Sequence, residues 1–540
     1  MSSSVALGGS RRDASARALA RARRLAETAG GRPLEAAVIA GLVVLAFGLR
    51  WRVLGAPFWI DEGISVGIAS HPLSDIPGLL RQDGSPPLFY LLLHWWMALF
   101  GSTESATHAF TAAAAILAVP AAWWGARPFG RSAGLASAAM LAVLPFVGLY
   151  ADETRMYSLM LLLTLLATGA FLRAFVLRRR PYVAVFAALL AAVLYTHAWG
   201  AFYAASAGVA WLGLLAWGPD RRRLAIDGAL AFGGALVLFA PWLPTLAYQT
   251  AHTGAPWSHR TSTRSLTHAL QRLLGGQKPE IALLLVAGAG LAEIMRRGPA
   301  APRRAALAVV FVTACTLCTA WAWSHFNTPA WALRYLVTVL APLVIVTGAG
   351  LGRIPILGAA TLAVVALLAW HGKPSARTLE HKSNVSVVAR TLAPELPRGT
   401  MVFSVQPEQV PNLRYYLPPG LRYLTPLGPV RDPGVMDWRD ALKRLRAARV
   451  EHVLLRTVRH MRPEQRLLLV QPLFSHPDAP WTVLIRQISR RWTRSLRQSG
   501  LVLTVRMVHP LRGSSRSTVA AILFERTTHA PAARHARHRA

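Results

Sequence analysis

From residue 34 to residue 371 the chain alternates between long apolar runs and short polar connections. The runs fall at 34–49, 106–125, 133–150, 157–176, 182–197, 201–217, 226–243, 280–295, 306–323, 335–352 and 354–371. A bilayer-crossing helix needs about 20 mostly apolar residues, so the pattern predicts about eleven transmembrane helices. Pro86–Phe100 (PPLFYLLLHWWMALF) is also apolar, but it is short and rich in Trp. It reads as an interfacial or re-entrant helix. The connection from 50 to 106 is then a long loop, and long ordered loops are usually functional. Beyond residue 371 no span remains. Strand-like runs at Met401–Val405, Val450–Leu455, Leu501–Val508 and Val519–Phe524 alternate with helix-like runs such as Trp438–Ala448. This predicts a small α/β domain over 372–526, followed by an Ala/Arg/His-rich tail, 527–540, expected to be disordered.

Charge orients this pattern. Basic residues number 59 against 24 acidic ones, a net charge of +35. In a soluble chain that excess would suggest nucleic acid; here it sorts across a membrane. Connections assigned to the cytoplasmic side, together with the basic segment 1–33, hold 21 Lys and Arg, and the longer outer connections hold nine. Were Pro86–Phe100 a span, the Arg178–Arg180 cluster would face outside instead. An uncleaved first helix with a cytoplasmic N-terminus follows, and an odd number of spans places the C-terminal domain outside; the stretch 372–540 holds 29 basic residues. With 53% apolar and 15% charged residues and a mean hydropathy of +0.36, intrinsic disorder and a single large soluble enzyme are excluded. The two cysteines, Cys315 and Cys318, lie within an apolar run and make no disulfide framework. The Arg/Ala/Gly/Pro bias with four lysines points to a GC-rich bacterial genome, and the apolar runs then place the chain as a multi-pass protein of the bacterial plasma membrane.

Acidic residues are scarce, so those at span edges stand out. Asp61-Glu62 opens the long outer loop, in Trp59-Ile-Asp-Glu-Gly63, and Asp152-Glu153 follows the third span, in Tyr150-Ala-Asp-Glu-Thr-Arg-Met-Tyr157. Both pairs fall on the same side at the same depth. One carboxylate there can take the proton of an attacking hydroxyl. Others can orient the acceptor or hold a divalent cation, with Asp152, Glu153 and His197 as candidate ligands. The competing reading is solvated loop charge paired with Arg155 or Arg81.

The ordered set of motifs resembles the GT-C membrane glycosyltransferases, in particular the branch similar to protein O-mannosyltransferases and aminoarabinose transferases. The residues that carry the likeness are Asp61, Glu62, Pro86–His94, Asp152–Tyr157, Tyr195-Thr-His197, Pro241-Trp-Leu-Pro244 and Arg334-Tyr335, within about 35–371. The resemblance implies an α-helical polytopic fold, a polyprenyl-phosphate sugar donor and inversion at the anomeric carbon. It gives Asp61 the role of catalytic base and makes Glu62 the second residue of that motif. Asp152 or Glu153 takes the second acidic site, with Glu153 favoured. The chain departs from the family pattern at Ser85, where His often precedes the double proline, and at Asp152-Glu-Thr-Arg155, where Gln-Glu-Ala-Arg is common.

Other candidates carry two readings each. Arg334 binds the donor phosphate bidentately or anchors the interface beside Tyr335. Arg155 orients the neighbouring acids, next to Tyr157. His197 contacts substrate or metal, or only packs, and packing is the better reading for His94. The connection 244–279, with Arg260, Arg264, Arg272, Lys278, His252, His259 and His268, clamps the lipid carrier or is plain surface. Trp59, Phe89 and Tyr90 stack on sugar or lipid, whereas Trp95 and Trp96 read as interfacial anchors. The basic amphipathic stretch Trp481–Ser499 lies on the membrane or is a partly buried helix. The reading is a membrane glycosyltransferase that moves mannose or a similar sugar to a lipid, polysaccharide or protein acceptor. Its rival is a transporter of lipid-linked sugars, which would show repeat symmetry.

Overall fold

The computed structural model describes residues 32–218, 220–258, 260–372, 380–474, 478–510 and 516–527. The segment before residue 32, His259 and the tail from 528 lie outside these. Each of the apolar runs is helical. The first is α1 (32–48). The long loop carries α2 (Ile60–Ala69), α3 (Ile76–Asp83) and α4 (Leu88–Phe100). Then come α5 (Glu104–Ala126), α6 (Arg131–Val143), α7 (Pro145–Ala151), α8 (Tyr157–Phe171), α9 (Pro181–Thr196), α10 (Gly200–Trp217) and α11 (Arg221–Phe239). The remainder are α12 (Leu243–His252), α13 (Thr263–Leu273), α14 (Gln277–Arg297), α15 (Ala300–Phe326), α16 (Val337–Arg353) and α17 (Pro355–Gly372). Among the described residues, six segments are long and apolar enough to cross a membrane, and the bent pair α6–α7 makes a seventh. The apolar helices α4, α9 and α17 are shorter.

Two local features shape the bundle. Pro145 breaks the third apolar run: its ring removes an N–H and pushes Leu144 to an extended backbone (φ −61°, ψ 122°), bending α6 against α7 by 57°. The break delivers Tyr150, Asp152 and Glu153 to the mouth of the bundle. Helix α16 is buried from Val337 to Leu351 and packs on α6, α8, α14 and α15. A helix apolar on every side belongs at the centre. Basic connections gather at one end, where Arg178 lies among Arg223, Arg304 and Asp220. Arg353 reaches Glu293 at 3.5 Å, and Arg131 reaches Glu35 at 2.9 Å.

The C-terminal region is an α/β domain with one six-stranded sheet. Its strands are β1 (Met401–Ser404), β2 (Arg422–Thr425), β3 (Gly428–Pro429), β4 (Arg466–Pro472), β5 (Val502–Val508) and β6 (Val519–Arg526), in the order β3-β2-β1-β4-β6-β5. β1 pairs in parallel with β2 and β4; the remaining pairs are antiparallel. Alternate residues face opposite layers. Val402, Leu468, Val470 and Leu523 pack with the helices Val385–Leu392 and Val410–Tyr416. Phe403, Leu469 and Phe524 face the helix Pro480–Gln498, where the Trp492 ring stacks on Phe403 at 5.8 Å. That helix spends its apolar face on the sheet, which settles it as a partly buried helix. The run Val450–Leu455, read as a strand, is helical: Val450, Leu454 and Val458 recur every fourth residue and are all buried.

The domain docks onto the long loop and the end of α12. Tyr416 accepts a hydrogen bond from the Phe58 N–H (2.7 Å), Trp438 N–H donates to Gln82 (3.0 Å), and Asp440 N–H donates to His252 (2.8 Å). Gly63 and Gly67 let α2 approach the domain's backbone; a Cβ at Gly67 would stand 2.0 Å from the Gly434 carbonyl. The loop and the domain therefore share one end of the bundle.

Candidate active site

The first turn of α2 holds both members of the first acidic pair. Free backbone N–H groups and the helix dipole favour carboxylates there. Consecutive residues on a helix diverge by roughly 100°, so the two acids face different surroundings. Glu62 turns inward and is fully buried. Its Oε2 accepts the Trp59 N–H (3.1 Å), closing the helix start. Its Oε1 meets the Thr154 N–H (2.9 Å), Lys382 Nζ (2.8 Å) and His108 Nε2 (2.6 Å). Burial alone would raise its pKa, but Lys382 and His108 outweigh burial and hold it at about 2. Lys382 Nζ also donates to the Asp152 carbonyl at 2.8 Å, and His108 Nδ1 lies 2.6 Å from the Leu54 carbonyl. Glu62 thus fastens the loop, the bundle and the C-terminal domain together.

Asp61 keeps partial access. Its Oδ2 lies 3.5 Å from Arg334 Nη2 and 3.9 Å from Arg155 Nε. No hydrogen bond or ion pair to Oδ1 occurs among the described residues. Arg155 Nη1 is held by Ser65 Oγ (3.1 Å) and Tyr90 OH (3.3 Å), with the Asp61 carbonyl at 3.4 Å. Arg334 sits among aromatic rings, its Cζ 5.2 Å from the Trp257 centroid, 5.5 Å from Tyr335 and 5.7 Å from Trp59. Its Nε is buried and has no hydrogen-bond partner among the described residues.

The second pair also divides. Glu153 Oε1 binds Arg516 Nη2 at 2.6 Å. Burial raises its pKa, and Arg516 opposes the rise. Asp152 faces Arg50 and Lys382, yet burial together with Glu62 and Glu153 leaves its pKa raised to about 7. The His197 ring packs at 4.4 Å from Tyr335 and 6.4 Å from Tyr157, and its Nδ1 accepts the Trp199 N–H (3.1 Å). His94 Nδ1 lies 2.9 Å from the Ala69 carbonyl, a packing contact.

Among the described residues no three His, Cys, Asp or Glu side chains gather into a group that could hold a metal ion. The candidate cation site at Asp152, Glu153 and His197 is thus not assembled. Each acidic residue of the two pairs faces a guanidinium or an ammonium instead.

The structure brings together Asp61, Arg155, Tyr157, Arg334 and Tyr335, with Trp59 and Tyr90 beside them. Sequence reasoning missed His108, Arg50, Lys382 and Arg516. Lys382 is one of only four lysines, the single signal that could have marked it.

No family model matches the chain, and no curated protein matches it in sequence. Solved structures do. ArnT from Cupriavidus metallidurans, bound to undecaprenyl phosphate, superposes with a TM-score of 0.59 at 14% identity, over 91% of this chain and 98% of that one. The arabinofuranosyltransferase AftD from Mycobacteria gives a TM-score of 0.53 at 14% identity, over 93% of this chain. This chain spans 42% of AftD's length. The apolar helices, the C-terminal sheet and these likenesses make the chain a polytopic membrane protein with the GT-C fold.

Proposed function

We propose that this protein is a membrane glycosyltransferase that moves a sugar from a polyprenyl-phosphate carrier to an acceptor hydroxyl on the outer face of the membrane. The observation that carries this reading is Asp61: an accessible carboxylate flanked by Arg334 and Arg155 where the bundle meets the C-terminal domain. The fold shared with ArnT, a protein solved with undecaprenyl phosphate, supports the choice of carrier. The acceptor hydroxyl attacks the anomeric carbon from the face opposite the phosphate. The new C–O bond forms as the sugar–phosphate bond breaks, and the electron pair leaves with the phosphate. Asp61 takes the hydroxyl proton through Oδ1. Arg334 stabilises the charge growing on the leaving phosphate, and Tyr335 and Trp257 hold its guanidinium in place. A single displacement inverts the anomeric carbon. Glu62 and Arg155 position Asp61. Mannose or a similar sugar fits this scheme, and a lipid, polysaccharide or protein hydroxyl serves equally as acceptor chemistry.

The test is the Asp61→Asn variant, assayed in membranes with a panel of labelled polyprenyl-phosphate sugars. Transfer should fall by roughly two orders of magnitude or more, with membrane insertion and expression unchanged. Native transfer by this variant would overturn the mechanism.

A further inference from the structure

We infer that Arg516, from the C-terminal domain, binds the lipid phosphate together with Arg334, so that this domain completes the phosphate site. The inference rests on the transferase reading above. Access divides the charged residues into two groups. Asp61 and Arg334 each keep 20% of their side-chain surface open and Arg516 keeps 29%, whereas Glu62, Glu153 and Lys382 keep 4% or less. The second group holds the architecture, and the first faces what enters.

Arg516 and Arg334 flank one indole. Their guanidinium carbons lie 5.5 and 5.7 Å from the Trp59 ring centroid. Each has one carboxylate contact, Glu153 for Arg516 and Asp61 for Arg334. The positive charge of Arg334 acts against that of Arg516, and an anion bound by both would relieve that repulsion. A guanidinium presents five N–H donors, so the one spent on Glu153 leaves others for phosphate oxygens. The placement is fixed rather than incidental. Arg516 N–H donates to the Lys382 carbonyl at 3.0 Å, and the Lys382 ammonium is held by Glu62 at 2.8 Å. Glu153 thereby gains a role: it sets the Arg516 guanidinium beside Trp59.

The chemistry suits two guanidiniums better than one. The donor is a phosphodiester with one negative charge. Once the sugar–phosphate bond breaks, the leaving group is a monoester, which carries between one and two. A second guanidinium favours the product side and the transition state that leads to it.

The experiment uses the full chain in lipid nanodiscs and measures binding of undecaprenyl phosphate, with uncharged undecaprenol as the control lipid. The variants are Arg516→Met, Arg516→Lys, Glu153→Gln and, as a surface control, Arg490→Met. Arg516→Met should lose phosphate-lipid affinity by roughly tenfold or more, at unchanged undecaprenol binding. Arg516→Lys should fall in between, because an ammonium cannot fork. Glu153→Gln keeps the guanidinium but loosens it, and should lose less than Arg516→Met; it carries the test should Arg516→Met fail to fold. Undiminished preference for the phosphate in both Arg516→Met and Glu153→Gln would overturn the role of Arg516. Equal binding of the two lipids by the native protein would overturn the transferase reading beneath it.

Discussion

Adjacent residues divide the labour of this site. Asp61 and Glu62 differ by one methylene, yet one stays partly exposed and the other is a buried fastening, because a helix turns them apart. The scarcity of acids made both pairs legible in the sequence. Their separate roles were not legible, because the partners that decide them are remote: Lys382 is 320 positions from Glu62, and Arg516 is 363 from Glu153. No pattern read along the chain can place such contacts. Asp152 offers a direct test of these surroundings. Burial drives its pKa up to about 7, with Glu62 and Glu153 adding to the rise and Arg50 and Lys382 opposing it. Between its unfolded value near 4 and about 7, the folded state holds a proton that the unfolded state has released. Folding stability from this group is therefore full below about pH 4 and is lost as the pH rises towards 7. Asp152→Asn removes the titration. The melting temperature of the variant should gain on that of the native protein as the pH climbs from about 4 to 7, and the gap should level above that. A gap that stays constant, or closes, across this range would contradict the assignment.

Helix α2 is the element on which the site depends, since its first turn carries both acids and its Gly63 and Gly67 pack on the C-terminal domain. Its Asp61-Glu62 pair was legible as a candidate site at the start of a long loop, but the helix itself and the close contacts of its glycines were not. In the structure Gly63 and Gly67 are where backbone meets backbone, with the Gly63 Cβ position 2.8 Å from the main chain of Asn412. Gly67→Ala would force the Gly434 carbonyl away, and a rigid backbone atom cannot yield as a flexible side chain does. Overpacking of this kind costs about 1–3 kcal/mol. The expected outcome is a lowered melting temperature, faster proteolytic release of the C-terminal domain and reduced transfer. Gly78→Ala, in α3 with nothing within 4 Å of the new Cβ, is the matched control and should be neutral or slightly stabilising. Equal behaviour of the two variants would remove the tight interface as a cause. The same scale explains the misread run Val450–Leu455: short apolar runs satisfy both periods, and only the continuation to Val458 shows the helical one.

The whole molecule was the most legible level, because an apolar run of span length has few other fates and every such run is helical here, one of them as a bent pair. The break at Pro145 and the docking of the C-terminal domain were not legible, since one depends on local sterics and the other on surfaces brought together by folding. Orientation remains a matter of charge. The long loop and the C-terminal domain sit at one end of the bundle, and basic connections holding Arg178, Arg223 and Arg304 gather together. If basic connections stay in the cytoplasm, the site and the C-terminal domain face outward, where a polyprenyl-phosphate sugar would be consumed. Single cysteines can read this directly in a background lacking Cys315 and Cys318. Arg491→Cys lies on the exposed side of the Pro480–Gln498 helix, and Arg222→Cys lies at the start of α11. A membrane-impermeant maleimide should label Arg491→Cys in intact cells and Arg222→Cys only after permeabilisation. The reverse pattern would place the acidic pairs on the cytoplasmic face, where the carrier's sugar would have to be presented from the other leaflet, and the proposed direction of transfer would fall with it.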